Sequence, residues 1–552
     1  EADSGAAALP IIREQQPEVV FSDWNMPEMN GIELLKALRE EGNNVRFGFV
    51  TSESTAAMAQ KAKEMIGELG YKEKPADLIY GFSRNTSYQD QLNKHFGGKA
   101  WEHLMHTRPS LVNFWYRTTP GALWPSNDRG IYPSENDPPM TVPGMVRIVL
   151  DPEARLWNFL ALPKAEDKGK EGPYDWAQLF RLADLDPAQF QRVEPESLPL
   201  VTFDERAAWK GSISQHIPHV FRVEAAAFRG LPVYFRVTVD WGEPARPAPA
   251  PGADWGGRFS TLLYLSAYVF AGWMAWRNWK AGRTDRVGAL RLGILMAAGA
   301  LATCLLAAHY NTIQNLNRGL SSWMGIAAFV GILFGTMYMA FEPHVRKRWP
   351  EMLVGWTRLF AGKFGDPMVG RHVLYGLAGG AMGTVLTGVS NLAEKTLRLD
   401  PSVGDLQALT GLRFPIATFT SLFPNTIGSA TMMLFLLLGL RVLLRNQWLA
   451  LLATAGLFSA MSSMNAAIPW FAFSIAMLLN GLILIYLLRF GYLATVIVMA
   501  YFTLSSHFPP DLNWGSWYAP AGTLSILVLA GLTVYGFRVS TAGQKVLTDE
   551  LD

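Results

Sequence analysis

Cysteine is almost absent: Cys304 is the only one in 552 residues. A single thiol excludes an intrachain disulfide and every zinc or iron–sulfur site built on several thiolates; the redox compartment stays open. Charge is also scarce. Asp, Glu, Lys and Arg make up 17% of the chain, against roughly 25% in ordinary soluble proteins. The 48 Lys and Arg nearly cancel the 46 Asp and Glu, for a net charge of +2, which excludes a nucleic-acid binder driven by bulk positive charge. A glycine-rich phosphate loop, a His-Arg-Asp catalytic loop and an Asp-Phe-Gly triplet are all missing. No protein kinase domain is therefore present and no kinase activity is expected.

What the chain has instead is apolar bulk. Half of its residues are hydrophobic and the mean hydropathy is +0.12, too apolar for disorder and higher than an ordinary soluble enzyme. The length allows about three or four domains. From Phe259 onward, apolar stretches recur at close to the ~20 residues that cross the hydrocarbon of a bilayer as helix. Nine spans are predicted, near 259–276, 289–309, 322–341, 370–390, 425–444, 448–465, 467–488, 490–506 and 519–538. Leu412 to Pro424, broken by Pro415 and Pro424, reads as a segment able to re-enter the bilayer. No span carries a central Asp, Glu, Lys or Arg, which argues against a proton-coupled transporter. Lys and Arg in alternate loops divide sixteen to four, with Arg277, Arg346, Lys347, Arg348, Arg441 and Arg538 among the majority and only Arg318, Lys395, Arg398 and Arg413 in the minority. The positive-inside rule then places the C-terminus in the cytoplasm and residues 60–255 outside.

The N-terminus carries a different signal. Val19-Val20-Phe21 is a short strand ending in Ser22-Asp23, followed by Trp24-Asn25-Met26-Pro27-Glu28-Met29-Asn30-Gly31 and an amphipathic helix through Leu34, Leu35 and Leu38; a second strand, Phe47 to Val50, ends in Thr51-Ser52. This segment resembles the response-regulator receiver family, whose D-x-x-M-P-x-M-x-G pattern and following strand-Thr/Ser are both present. The resemblance implies a flavodoxin-like α/β fold with Asp23 as phosphoacceptor, the Asn25 backbone carbonyl beside a Mg²⁺, and Thr51 as the switch hydroxyl. Lys74, before Pro75, stands where the family carries its switch lysine. The acidic pair of the family's first strand has no counterpart after Glu1, so Mg²⁺ is expected only if that site were complete, and Asp23 is expected not to hold a stable phosphoryl group.

From about Ala57 the character changes. Met58 to Tyr71 reads as an amphipathic helix closed by Gly70. Val146–Pro163 and Phe221–Val239 each alternate apolar and polar residues about a turn, which predicts two β-hairpins and has a duplicated α+β module as one reading. Glu243 to Gly257 holds Pro244, Pro247, Pro249 and Pro251 and reads as a semi-extended tether. Phe114-Trp115-Tyr116-Arg117, Glu342-Pro343-His344-Val345-Arg346-Lys347-Arg348-Trp349-Pro350, Asp366-Pro367-Met368-Val369-Gly370-Arg371 and Tyr535-Gly536-Phe537 resemble the region that follows the first membrane span in a group of bacterial serine/threonine protein kinases. None of these is a catalytic motif.

The expected fold class is thus multidomain: a partial receiver over 1–56, an extracytoplasmic α+β domain over 57–243, a Pro-rich linker over 244–258, and an all-α transmembrane bundle of about nine helices over 259–552. The basic run Arg346, Lys347, Arg348 with Trp349, followed by Trp356, Leu359 and Phe360, reads as an interfacial segment touching anionic lipid. His309 at a span end reads as packing or snorkelling, and Asp137, Asp184 and Asp186 as turn or capping residues. The function implied is a multi-pass signalling protein of a bacterial inner membrane, non-enzymatic, with membrane lipids and a histidine kinase or another signalling protein as partners. A gene-fusion artefact of receiver and membrane region, and a lipid- or solute-handling membrane protein, are the alternatives.

Overall fold

The computed structural model describes residues 4–15, 19–22, 29, 34, 37–39, 41, 43, 46–49, 54–96, 108–126, 131–167, 169, 173–213, 219–241, 255–310, 312–396, 406, 413–464, 469–508 and 519–541. At the N-terminus, α1 (Gly5–Gln15) precedes β1 (Val19–Ser22) and β2 (Arg46–Phe49), which pair in parallel with Val20 opposite Phe47 and Ser22 opposite Phe49. Ile12, Val20, Leu34 and Leu38 close a small core there, with Ala8, Leu9 and Met29 packed against it. The helix expected through Leu34 and Leu38 therefore turns both leucines inward.

The next helix, α2 (Ser54–Glu68), belongs elsewhere. Its buried face, Met58, Ala62, Met65 and Ile66, lies with Leu69 in the core beneath an eight-stranded sheet. The sheet is formed by β3 (Asp77–Arg84), β4 (Val112–Thr119), β5 (Val146–Leu150), β6 (Leu156–Ala161), β7 (Phe190–Val193), β8 (Glu205–Gly211), β9 (Phe221–Phe228) and β10 (Leu231–Val239), with α3 (Thr86–Phe96) and the short α4 (Ala177–Leu182) inserted between strands. Its order is 3-4-5-6-10-9-8-7 and its pairings are antiparallel. Each half is thus a helix followed by a four-stranded meander, and the halves join through their last strands. At that joint Phe159 on β6 faces Phe235 on β10, both fully buried, each contributing about 1.5–3 kcal/mol of apolar burial.

Both expected hairpins form, as β5–β6 and β9–β10, and the turn chemistry explains them. Arg229 and Gly230 take positive φ of 50° and 74°, as a tight two-residue hairpin turn demands. The Arg229 N–H donates to Asp204 Oδ2 at 2.7 Å. In the first hairpin the Asp151 carboxylate accepts from the backbone N–H of Glu153 and Arg155, both at 3.0 Å, and takes Arg108 Nε and Arg155 Nε at 2.7 Å.

The C-terminal half is helical: α5 (Trp255–Lys280), α6 (Arg286–Ala307), α7 (Ile313–Arg348), the short α8 (Val354–Phe360), α9 (Pro367–Thr396), α10 (Arg413–Leu444), α11 (Gln447–Ser463), α12 (Pro469–His507) and α13 (Ala519–Ser540). Among the described residues, six of these, α6, α7, α9, α10, α12 and α13, hold a stretch long and apolar enough to cross a membrane. Of the nine expected spans, 259–276 falls in α5 and 448–465 in α11, helices outside that set, and the last two before the end share α12. The φ of Gly491 is +85° and its ψ 178°, a break inside α12. A Cβ on Gly383 of α9 would meet both Phe502, at 3.9 Å, and Leu479, at 4.0 Å, residues at similar distances before and after Gly491. The chain therefore reverses at Gly491, and α12 is a hairpin of two arms.

Two expectations are corrected. Residues 413–424 are not broken at their prolines: Pro424 lies inside the continuous helix α10, and Gly299 of α6 has only its hydrogen where a Cβ would come within 3.1 Å of the Pro424 ring. The stretch after Trp349 is not a lipid-facing helix, because Met352, Leu353 and Trp356 are buried in the bundle core and Leu359 and Phe360 pack against it. The Trp356 ring meets Tyr492 edge-on at 4.8 Å.

The runs Glu342–Pro350, Asp366–Arg371 and Tyr535–Phe537 act as packing devices. Pro343 has no N–H for the Met339 carbonyl one turn back, and Asn278 Nδ2 from α5 donates to Met339 O at 3.1 Å and to Ala340 O at 3.0 Å. Gly370 and Gly536 bring α9 against α13: a Cβ on Gly370 would lie 2.8 Å from the Gly536 carbonyl.

Candidate functional site

Two places carry chemistry: the ends of the parallel strands β1 and β2, and the contact between the sheet and the helices. Ser22 and Phe49, the last residues of the two strands, are register partners, so the carboxyl ends of two parallel strands, where such sheets bind ligands, lie side by side. Asp23, Asn25 and Thr51 themselves lie outside the described residues, and with them any test of how Mg²⁺ would be held. Lys74 is exposed in the loop between α2 and β3. It precedes a strand that pairs antiparallel with β4 in the large sheet, so the structure does not set it at the end of a strand paired with β1 or β2.

The second place was not legible in advance as a site. His309, just beyond α6, is hydrogen-bonded through Nε2 to Asp77 Oδ1 at 2.9 Å, across 232 residues of sequence. Asp77 opens β3 and is almost fully buried; its other oxygen accepts from the Leu123 N–H at 2.9 Å. The His309 N–H donates to Ile131 O at 2.8 Å. Tyr132 stands edge-on to the His309 ring and, at 4.6 Å, to Phe414 of α10. Trp124 packs with Cys304, Ala308 and Trp323 while Arg318 lies over its ring at 5.1 Å. Arg413 donates to Leu306 O at 2.6 Å and to Ala308 O, closing the carbonyl end of α6. The loop after β4 thus docks on the C-terminal end of α6 and the N-terminal ends of α7 and α10. Burial pushes the Tyr132 hydroxyl pKa up, so the ring stays neutral in this contact.

At the other end of α7, Arg346, Lys347 and Arg348 are exposed and Trp349 is half-buried against the core. Arg346 pairs with the buried Glu342. Among the described residues no group of three His, Cys, Asp or Glu side chains is placed to hold a metal. Asp186 caps the turn at Pro187–Gln189 by accepting from Ala188 N at 3.0 Å. Asp137 accepts from Ser126 N at 2.9 Å.

Residues 1–79 match the response regulator receiver domain and are a receiver segment. The chain is 35% identical over 78 residues to sporulation initiation phosphotransferase F of Bacillus subtilis, covering 14% of this chain and 62% of that protein. It is 39% identical over 77 residues to the chemotaxis protein CheY-3 of Vibrio cholerae, covering 14% and 58%. To the chemotaxis protein CheY of Pseudomonas aeruginosa it is 38% identical over 77 residues, covering 14% and 61%. The chain therefore spans about three fifths of the length of these curated relatives. No solved structure matches it. The match reaches residue 79, past the boundary at 56 expected from the sequence, although the residues of α2 pack on the large sheet.

Proposed function

We propose that the chain is a multi-pass signalling protein of a bacterial inner membrane, in which the eight-stranded sheet receives a ligand or partner outside and passes the event to the helices through the loop docked at Asp77 and His309. The observation that carries this reading is the buried polar junction. A pair held 2.9 Å apart between two folding units, one member almost fully buried, resists sliding, because any displacement strands a desolvated carboxylate at a cost of about 1–3 kcal/mol. The reading takes nine spans, with Gly491 as the turn between two of them, and sets the exposed Arg346, Lys347 and Arg348 against anionic headgroups on the cytoplasmic side. The receiver segment ties the chain to two-component signalling, and on this topology the partner is another signalling protein rather than a phosphorylating histidine kinase. The chain itself acts without catalysis.

Asp77→Leu with His309→Leu tests the junction. Wild type is expected to unfold in one thermal transition in detergent, and the double variant in two, as sheet and bundle melt independently. A single unshifted transition in the double variant would sink the reading.

The receiver segment shares the side of the sheet, since no helix between Ser54 and Val239 is long and apolar enough to cross a membrane among the described residues. It is therefore out of reach of ATP-driven kinases. In cells, phosphate-affinity electrophoresis should show no shifted band that Asp23→Ala removes; an Asp23-dependent band would refute the silence of this segment.

A second reading, fusion of a receiver piece to an unrelated membrane region, is favoured by α2. That helix lies inside the receiver match yet buries its apolar face on the large sheet. A transcript read across residues 50–65 separates the two readings.

A further inference from the structure

The helical half holds a cavity of about 280 Å³ between α9, α11 and the two arms of α12. Protein interiors seldom contain spaces larger than a water molecule, and an apolar cavity of roughly 150 Å³ is enough to bind benzene. One glycine makes the room. Gly379 and Gly380 of α9 also line the cavity, but close packing accounts for both, since a Cβ there would collide with Tyr486 or Tyr501. Gly383, one turn on, is different: a Cβ would find nothing nearer than Phe502 and Leu479, both at ordinary contact distance. No neighbour demands a glycine at that position. Phe458 of α11 and Asn480 of α12 also stand in the wall, which is otherwise almost wholly apolar.

Asn480 gives the cavity its chemistry. Its Nδ2 donates to Ser459 Oγ at 3.1 Å. The serine fixes that orientation, because its own hydroxyl already donates to Ala455 O at 2.6 Å, so the amide must be the donor and its oxygen is left over. Among the described residues Asn480 Oδ1 accepts no hydrogen bond. Asn480 stands about three turns before Gly491, ~16 Å of helix, and Arg489 beside that glycine marks the edge of the apolar stretch. The amide therefore lies near the middle of the ~30 Å of hydrocarbon that α12 crosses on the spanning reading. At that depth water does not solvate an acceptor, and a polar group without a partner is costly.

We propose that this cavity binds a lipid-soluble molecule carrying a hydroxyl group, with its apolar body in the space beside Gly383 and its O–H donating to Asn480 Oδ1. Depth excludes a charged head group, since none is stable at the middle of the hydrocarbon without an opposite charge, and no Asp, Glu, Lys or Arg lines the cavity. A plain acyl chain fits the volume but leaves the amide oxygen unsatisfied, so the hydroxyl is what separates a ligand from bulk lipid. A phenolic ring and a long-chain alcohol both offer this chemistry. The site lies wholly within the helices and does not depend on what the sheet receives.

The test uses the full chain in phospholipid vesicles, irradiated with a long-chain alcohol that carries a photoreactive diazirine, or with the matching alkane that lacks the hydroxyl. Mass spectrometry maps the attachment. Around Leu479 and Phe502 the alcohol is expected to label roughly fivefold to tenfold more than the alkane, the worth of one hydrogen bond. Asn480→Leu, a change of nearly equal volume, should bring the alcohol down to the alkane's level. Gly383→Leu should fill the space and remove labelling by both probes; Gly383→Ala, whose Cβ meets only ordinary contacts, keeps the packing and should lower it in part. Unlabelled para-alkylphenol and unlabelled long-chain alcohol then compete for the site, and the stronger competitor identifies a ring or a chain. Equal labelling by alcohol and alkane in the wild type would mean that bulk lipid alone fills the cavity, and would overturn the site. So would alcohol labelling that survives Asn480→Leu, or a failure of both competitors.

Discussion

Gly491→Val should leave the helical half unable to close, whereas Gly439→Ala should fold as well as wild type or slightly better. The backbone at Gly491, φ +85° and ψ 178°, lies in a region that is essentially reserved for glycine, and forcing a side chain there costs about 1–3 kcal/mol. A Cβ would also stand 2.8 Å from the Met352 carbonyl. Backbone cannot yield as a flexible side chain can, so overpacking adds about 1–3 kcal/mol more. Together these are a large share of the ~5–15 kcal/mol that holds a typical domain folded. Gly439 has open space where its Cβ would be and sits in the interior of α10, where alanine is favoured by roughly 0.5–1 kcal/mol. Thermal unfolding of the two variants in the same detergent decides the matter. Equal stability would mean that α12 continues straight through Gly491 and is one long helix.

The fate of that glycine shows what a sequence can and cannot disclose about this chain. Apolar stretches separated near residue 489 were enough to suggest two spans, because a bilayer sets the length of a helix. Length and hydropathy alone merge the same residues into one element, and only the approach of Leu479 and Phe502 to one glycine of α9 resolves the fold-back. The hairpins at 146–163 and 221–239 were legible for a similar reason, since alternation and turn residues are local. Which way an aromatic faces is not local. Trp356 beside a basic run has the same pattern whether it meets lipid or protein, and here it meets Tyr492. The contact of Asp77 with His309 had no signal at all: an aspartate before a strand and a histidine after a span are each unremarkable, and only the fold brings them together. The receiver motif was the most specific pattern in the chain and identified its segment, while Asp23, Asn25 and Thr51 lie outside the described residues.

A maleimide unable to cross membranes should label Leu200→Cys in intact cells and leave Ser540→Cys unlabelled until the cells are opened, with Cys304 replaced by alanine in both. Leu200 is almost entirely exposed on the sheet domain, and Ser540 ends α13, so neither substitution disturbs a core. The expected contrast is all or none. It follows from geometry joined to charge. The sheet touches His309, Arg318 through Trp124, and Phe414, all at one end of α6, α7 and α10. The 36 residues of α7, at about 1.5 Å each, exceed the ~30 Å of hydrocarbon, so its far end, with Arg346, Lys347 and Arg348 exposed, emerges on the opposite face. Basic loops stay in the cytoplasm, so the topology we propose has the sheet outside. Labelling of Ser540→Cys with protection of Leu200→Cys would invert the chain. The receiver segment would then lie where histidine kinases act, and Asp23 would regain the access to phosphoryl donors that this topology denies it.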